Sequence, residues 1–360
     1  MIDKKYNEEI EGLEFDEDDS LGEYPIDTVL IRNENRTVYD VVRRIGKGGY
    51  VMDPDFQRDF IWDEDKQSKL IESVLMRIPL PVFYLAENRE GHMIVVDGLQ
   101  RLSTFQRFCN DELKLKLPNQ KLLHGKRFSD LSPKLQNRVE DCNLILYLID
   151  PKVPTQALLD IFDRVNSGEP LSRQQMRNCL FMGASTKLLR QKASTKIFKK
   201  ATGKSLKPEK MRDRELINRF FAFKCLGVSE YKGGMDDFLE RSLEAINKMW
   251  EPDIVELADS FDLAMANNLE VFGKHAFRKH TNPNHARSVI NASLWDVMSV
   301  SLSNYSENEV KSNAELIRQG FYELMINYRF IDAITLGTNQ VGRVRERFRL
   351  VQEMLEEIMQ

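Results

Sequence analysis

Apolar positions along this 360-residue chain mix strand and helix spacings up to about residue 150 and keep helical spacing alone from Pro154 onward. IDTVLIR (26–32) reads as a short strand. Thr37 then stands ready to cap a helix whose stripe is Val38, Val41, Val42 and Ile45, stopped by Gly46, Gly48 and Gly49. Asp63 is the expected N-cap of a second helix with Leu70, Ile71, Val74, Leu75 and Ile78 on its inner face, and Trp62 before it reads as core. VFYLAE and MIVVD, joined by NREG, predict an antiparallel hairpin. ELKLKL and NLILYLID read as further strands.

Beyond Pro154 the pattern gives helix after helix. Ser172 caps one of them, and DRELINRFFAFKCLG, MDDFLERSLEAINKMW, PDIVELADSFDLAMANNLEVF, SVINASLWDVMSVSL, NAELIRQGFYELMINY and NQVGRVRERFRLVQEMLEEIM follow. The expected fold class is α+β, with an α+β domain over residues 21–153 and an all-α domain over 154–360. Residues 1–20 are expected to be an acidic, disordered tail.

Charge changes the picture. The net charge of −4 conceals an N-terminal segment of nine acids and two lysines, and a stretch over residues 172–224 with fifteen Lys/Arg against three Asp/Glu. Such a stripe is the footprint of a polyanion partner or a solvated helical face, and the acidic tail is a natural competitor for it. The positions expected to meet DNA phosphates are Lys187, Arg190, Lys199, Lys200, Lys204, Lys207 and Lys210. A second set, Arg343, Arg345, Arg347 and Arg349, lies in RVRERFR. These contacts supply affinity and salt dependence without base readout. The four cysteines form no CxxC and read as reduced thiols in a cytoplasmic protein, and no run approaches the ~18 apolar residues of a membrane span.

The chemistry concentrates at VVDGLQRLSTFQRF (95–108), where a strand ends at Asp97-Gly98 and a helix begins with Leu99, Gln100 and Arg101. Backbone N–H groups at a helix start favour anions, the glycine admits a ligand, and Arg and Gln add donors, so phosphate is the natural guest. An ordinary turn with its Arg paired to an acid is the plainer reading. Phe56-Gln57-Arg58-Asp59-Phe60-Ile61-Trp62 sets a second Gln-Arg pair before a helix, suggesting two walls of one polar pocket.

These stretches, with IFDRVNSGEPLSRQQMRNCLF further on, resemble the N-terminal domain of GmrSD-type modification-dependent restriction proteins. That family has a ParB/sulfiredoxin-like fold and an Asp-Gly-Gln-Gln-Arg signature, here with Leu99 at the third position. The resemblance implies a pocket for a nucleoside triphosphate with magnesium, with binding alone or binding and hydrolysis both open, and DNA as the larger partner. Carried over, the nucleotide-binding positions are Gln57, Arg58, Gly98, Gln100, Arg101 and Asn166, with Gly168 beside the last. Asp97, Gln100 and Arg101 are the catalytic candidates: Asp97 as general base ahead of Asp59 and Glu72, Gln100 positioning water.

Relatives often add an HNH-like nuclease opening with His-x-x-Pro. His280-Thr-Asn-Pro283 has that form, and His275, His280 and His285 recur every five residues. Five-residue spacing turns successive side chains ~140° apart on a helix, and the run reads as a loop, so no metal site is expected there. The leading expectation is a restriction-type protein that binds nucleotide and DNA, with any nuclease supplied by a partner or unrecognised. The alternative is a non-enzymatic DNA-binding adaptor, and a metal-dependent nuclease is third.

Overall fold

The computed structural model describes residues 10–13, 31–52, 62–87, 91–153, 157–158, 161, 164, 172–206 and 210–359. Its chain divides into two units, Leu21–Leu180 and the pair Met1–Ser20 with Phe181–Gln360. The boundary therefore falls at Leu180, later than the expected 153.

The first unit is built on a five-stranded sheet of order β1-β5-β3-β4-β2, formed by β1 (Ile31–Thr37), β2 (Tyr50–Val51), β3 (Phe83–Glu87), β4 (Met93–Asp97) and β5 (Asn143–Ile149). β3 runs antiparallel to β4 and parallel to β5, and β1 and β2 hold the edges. Helices α1 (Val38–Gly46), α2 (Glu64–Leu75), α3 (Leu99–Cys109) and α4 (Pro133–Glu140) pack their apolar stripes into one core with the sheet, around Ile71, Phe83, Leu102 and Phe108. A fifth helix, α5 (Arg173–Leu180), follows β5.

The expected caps are in place. Thr37 Oγ1 accepts from Asp40 N at 3.2 Å, and Asp63 Oδ1 accepts from Lys66 N at 2.7 Å. Gln175 N donates to Ser172 Oγ at 3.2 Å. Residues 26–30 of the expected strand IDTVLIR lie outside the described residues; β1 covers the mostly polar Ile31–Thr37, as an edge strand pairing with β5 alone can. One expectation differs. ELKLKL alternates as a strand would, with Leu113, Leu115 and Leu117 buried, yet joins no ladder. Its backbone is satisfied instead by Lys126, Gly125, Ser68 Oγ and His124 Nδ1.

The second unit is helical: α6 (Ala184–Ser194), α7 (Lys196–Ala201), α8 (Arg212–Leu226), α9 (Met235–Lys248), α10 (Glu251–Phe272), α11 (Ala292–Leu302), α12 (Glu307–Leu324), α13 (Tyr328–Ala333) and α14 (Val341–Ile358). Its core gathers Phe220, Phe221, Phe261 and Trp295, whose Nε1 donates to Leu216 O at 2.6 Å. Buried among these helices, Asp296 takes both Arg219 (2.8 and 2.6 Å) and Arg347 (2.9 Å). The tail expected to be disordered is anchored in its middle. Ile10 and Leu13 join this core, and Glu11 bonds through its backbone to Ile290 and Ala292, both at 2.9 Å. No helix among the described residues is long and apolar enough to cross a membrane.

Candidate functional site

β4 delivers Asp97 to the edge of the core and α3 starts two residues later, as the periodicity requires. Gly98 makes the junction possible. Its φ of +103° suits glycine, and a Cβ there would lie 2.4 Å from Phe83 Cδ1 and 3.3 Å from Arg101 Nη2. Among the described residues no side chain caps α3, whose N-cap is Gly98, so no such acceptor takes its first-turn N–H groups there.

Arg101 turns inward. Its Nη2 donates to Asp97 Oδ2 at 2.7 Å and to Val82 O at 3.0 Å, its Nη1 donates to Pro81 O, and the guanidinium sits 4.2 Å from the Phe83 ring centroid. Only 8% of the residue is exposed, and burial lowers its pKa while Asp97 opposes that shift. This arginine ties the start of α3 to the lead-in of β3. It is a strut rather than a fork held out to phosphate.

Asp97 and Gln100 keep free atoms. Asp97 is a third exposed, and among the described residues its Oδ1 has no donor. Gln100 Oε1 accepts from Trp62 N at 3.0 Å, leaving its Nε2 without an acceptor among the described residues. Gln67 Nε2 donates to the carbonyl of the same Trp62, and Arg107 Nη1 fixes Gln67 Oε1 at 2.7 Å. Trp62 is thus clamped on both sides of its peptide, and the junction holds the end of the 56–62 block. Gln67 and Arg107 are not among the residues the sequence singles out. The signal was present, since Gln67 shares the stripe of Leu70, Ile71 and Val74 and is 3% exposed. Leu99 packs partly against the core. Gln57, Arg58, Asp59, Asn166, Gly168 and Lys207 lie outside the described residues.

Residues 38–182 match a known protein family, the GmrSD restriction endonuclease N-terminal domain. The matched stretch makes up most of the α+β unit, which is similar to that domain. The match ends at residue 182, so nearly all of the helical unit lies beyond it. No curated protein and no solved structure matches the chain.

In the helical unit, Lys187, Arg190, Lys199, Lys200, Lys204 and Lys210 are all exposed. RVRERFR divides. Arg343 pairs with Asp332, Arg345 is exposed, and Arg349 pairs with Glu346 and Glu353, both at 2.7 Å. Arg347 is fully buried on Asp296 and donates to the carbonyl of Thr338. It shares the inner face of α14 with Val344, Phe348 and Val351, so the expectation of a DNA contact there is corrected.

His275 and His280 stack with ring centroids 4.7 Å apart, walled by Phe272, Phe321 and Tyr322, while His285 is exposed. Burial pushes His280 down to about 4. A cavity of about 400 Å³ in the helical unit is lined by Phe223, Lys224, Val300, Asn304, Phe348 and Glu356 among others. Lys224 is committed there to Ser303 Oγ at 2.9 Å and Asn304 Oδ1 at 2.7 Å.

Proposed function

We propose that this protein works in a restriction or defence system, binding a nucleoside triphosphate in its GmrSD-type domain and DNA on its helical unit. The observation that carries the reading is the clamp on Trp62, because Gln100 of the junction holds the end of the 56–62 block that the resemblance pairs with it. Around it, among the described residues, stand the uncapped start of α3, the unpartnered Oδ1 of Asp97 and the unpartnered Nε2 of Gln100. The N–H groups and the Gln100 amide fit a phosphate-bearing ligand, with Arg101 supplying rigidity. Magnesium would arrive with the phosphates and add charge neutralisation, and Asp97 is the carboxylate the junction offers it. The exposed lysines of α6 and α7 support the DNA half of the reading. A nuclease partner completes it.

The second reading, a non-enzymatic DNA-binding adaptor with a vestigial pocket, is favoured by one observation. The Nη donors of Arg101 go to Asp97, Pro81 and Val82. Calorimetric titration with ATP, GTP, CTP and UTP in magnesium, on wild type and Gln100→Ala, separates the two. Binding that weakens in the variant supports the nucleotide site. No binding of any nucleotide, with DNA binding intact, moves the protein to the adaptor class.

A further inference from the structure

Two stretches far apart in sequence meet at one carbonyl. No Asp or Glu occurs between residues 169 and 209, nor between 270 and 296. In the fold, Thr202 O, just past the end of α7, accepts from Arg278 Nη2 at 2.8 Å and from Arg287 Nη2 at 2.9 Å. Arg278 is fully buried and also donates to Ser288 O, Ala276 O and Ser205 Oγ, fixing the loop against the turn. Gly203 lets Arg287 lie flat on the backbone, since a Cβ there would come 2.2 Å from its guanidinium. The turn itself closes through Gly203 N to Lys200 O and Lys204 N to Lys199 O.

The result is one surface built from two acid-free segments. Lys196, Lys199, Lys200 and Lys204 are exposed beside it and make no ion pair among the described residues. From the other segment come Arg287, His285 and the exposed tip Asn284–Ala286. Of the acids around it, Asp213 is buried and Asp262 pairs with Lys192 at 2.8 Å, while the exposed Asp253, Glu256 and Asp259 lie on α10, which packs against α7. Solvated surface lysines are ordinarily interleaved with acids, which lowers the local field; here the fold stacks one acid-free segment on another.

We infer that the 281–287 loop and the turn after α7 form a single phosphate-tracking surface for duplex DNA, with Arg287 at its centre. The inference rests on the DNA half of the proposed function and gives the His-x-x-Pro loop a role in binding rather than in metal chemistry. Arg287 keeps the loop against α7, so a duplex whose backbone meets Lys199 and Lys200 meets the loop as well.

Fluorescence anisotropy of a labelled duplex across a salt series tests it, on the full chain. The variants are Lys199→Gln with Lys200→Gln, Arg287→Gln, Ala286→Glu, and Lys311→Gln on the acid-bearing α12 as control. Each lost phosphate contact should lower the slope of log K against log salt by about 0.9. The lysine pair, Arg287→Gln and Ala286→Glu should all weaken binding severalfold while Lys311→Gln does not. Ala286→Glu guards against the case in which Arg287→Gln merely loosens the loop, which thermal melting would show. If the lysine pair weakens binding and both loop variants leave it unchanged, the inference falls and the DNA reading stands. If wild type binds and no variant matters, or if wild type fails to bind, the basic surface is not the interface and both fall.

Discussion

Gly98→Ala tests the architecture of the junction. An alanine at φ +103° costs roughly 1–2 kcal/mol in backbone strain. The new methyl would also overlap Phe83, a fully buried ring that stacks on the Arg101 guanidinium, and its displacement costs roughly 1–3 kcal/mol. Gly48→Ala is the matched control. It too has positive φ, at +75°, but a Cβ there meets nothing within 4 Å, so only the strain remains. The assay is hydrogen exchange of amides in β3, β4 and α3, which reports the α+β unit by itself. Gly98→Ala should lower protection by ~1–3 kcal/mol more than Gly48→Ala. Equal losses would refute the claim that Gly98 exists to let Phe83 and Arg101 close the junction.

Other outcomes follow from the same geometry. Asp296→Asn strips two buried guanidiniums of the carboxylate they share and should cost ~3–5 kcal/mol in chemical denaturation. Arg347→Met leaves the Arg219–Asp296 pair whole and should cost much less, and DNA affinity should not change because that side chain never reaches solvent. His280 is held neutral to about 4 in the folded chain against ~6.5 when unfolded, so the unfolded state takes up the proton first. Stability of the helical unit should therefore fall as pH drops from about 6.5 towards 4, by up to roughly 3 kcal/mol, and His280→Phe should remove most of that slope. His275, also shifted down by burial, supplies the remainder. Burial pushes the Cys109 and Cys225 thiols up to about 12, so an alkylating reagent at mild alkaline pH should label them only on unfolding, as read by mass spectrometry.

Local order was legible because it is written in local signals. Thr37, Asp63 and Ser172 cap where their spacing said they would, and the β3–β4 hairpin feeds α3 across Asp97-Gly98. What the sequence did not disclose is long-range partnership. ELKLKL has the alternation of a strand, but alternation records only which side faces the core, not whether another strand lies alongside. By residue type alone Arg347 reads as a surface charge, yet it sits three residues after Val344 and four before Val351 on a buried stripe. Gln67 and Arg101 carry the same lesson. A polar residue on an apolar stripe is more informative about burial than about exposure, because the fold must then give it a partner.

That lesson bears on Leu99, which stands where the family signature has the first of its two glutamines. Its side chain lies partly against the core formed by Leu102, Phe105 and the sheet, whereas Gln100, one residue on and about 100° round the helix, reaches Trp62. An amide at 99 would have to leave that apolar contact to join the polar groups of the junction. Leucine there therefore strengthens the seat of α3 while Asp97 Oδ1 and Gln100 Nε2 remain available. Within the motif Gly98 and Arg101 close the junction and Leu99 packs partly on the core, while Asp97 and Gln100 each keep one side-chain atom without a partner among the described residues. On the proposed nucleotide reading, replacing Leu99 by Gln should then change stability more than nucleotide affinity, and a gain in affinity without loss of stability would place position 99 at the proposed site.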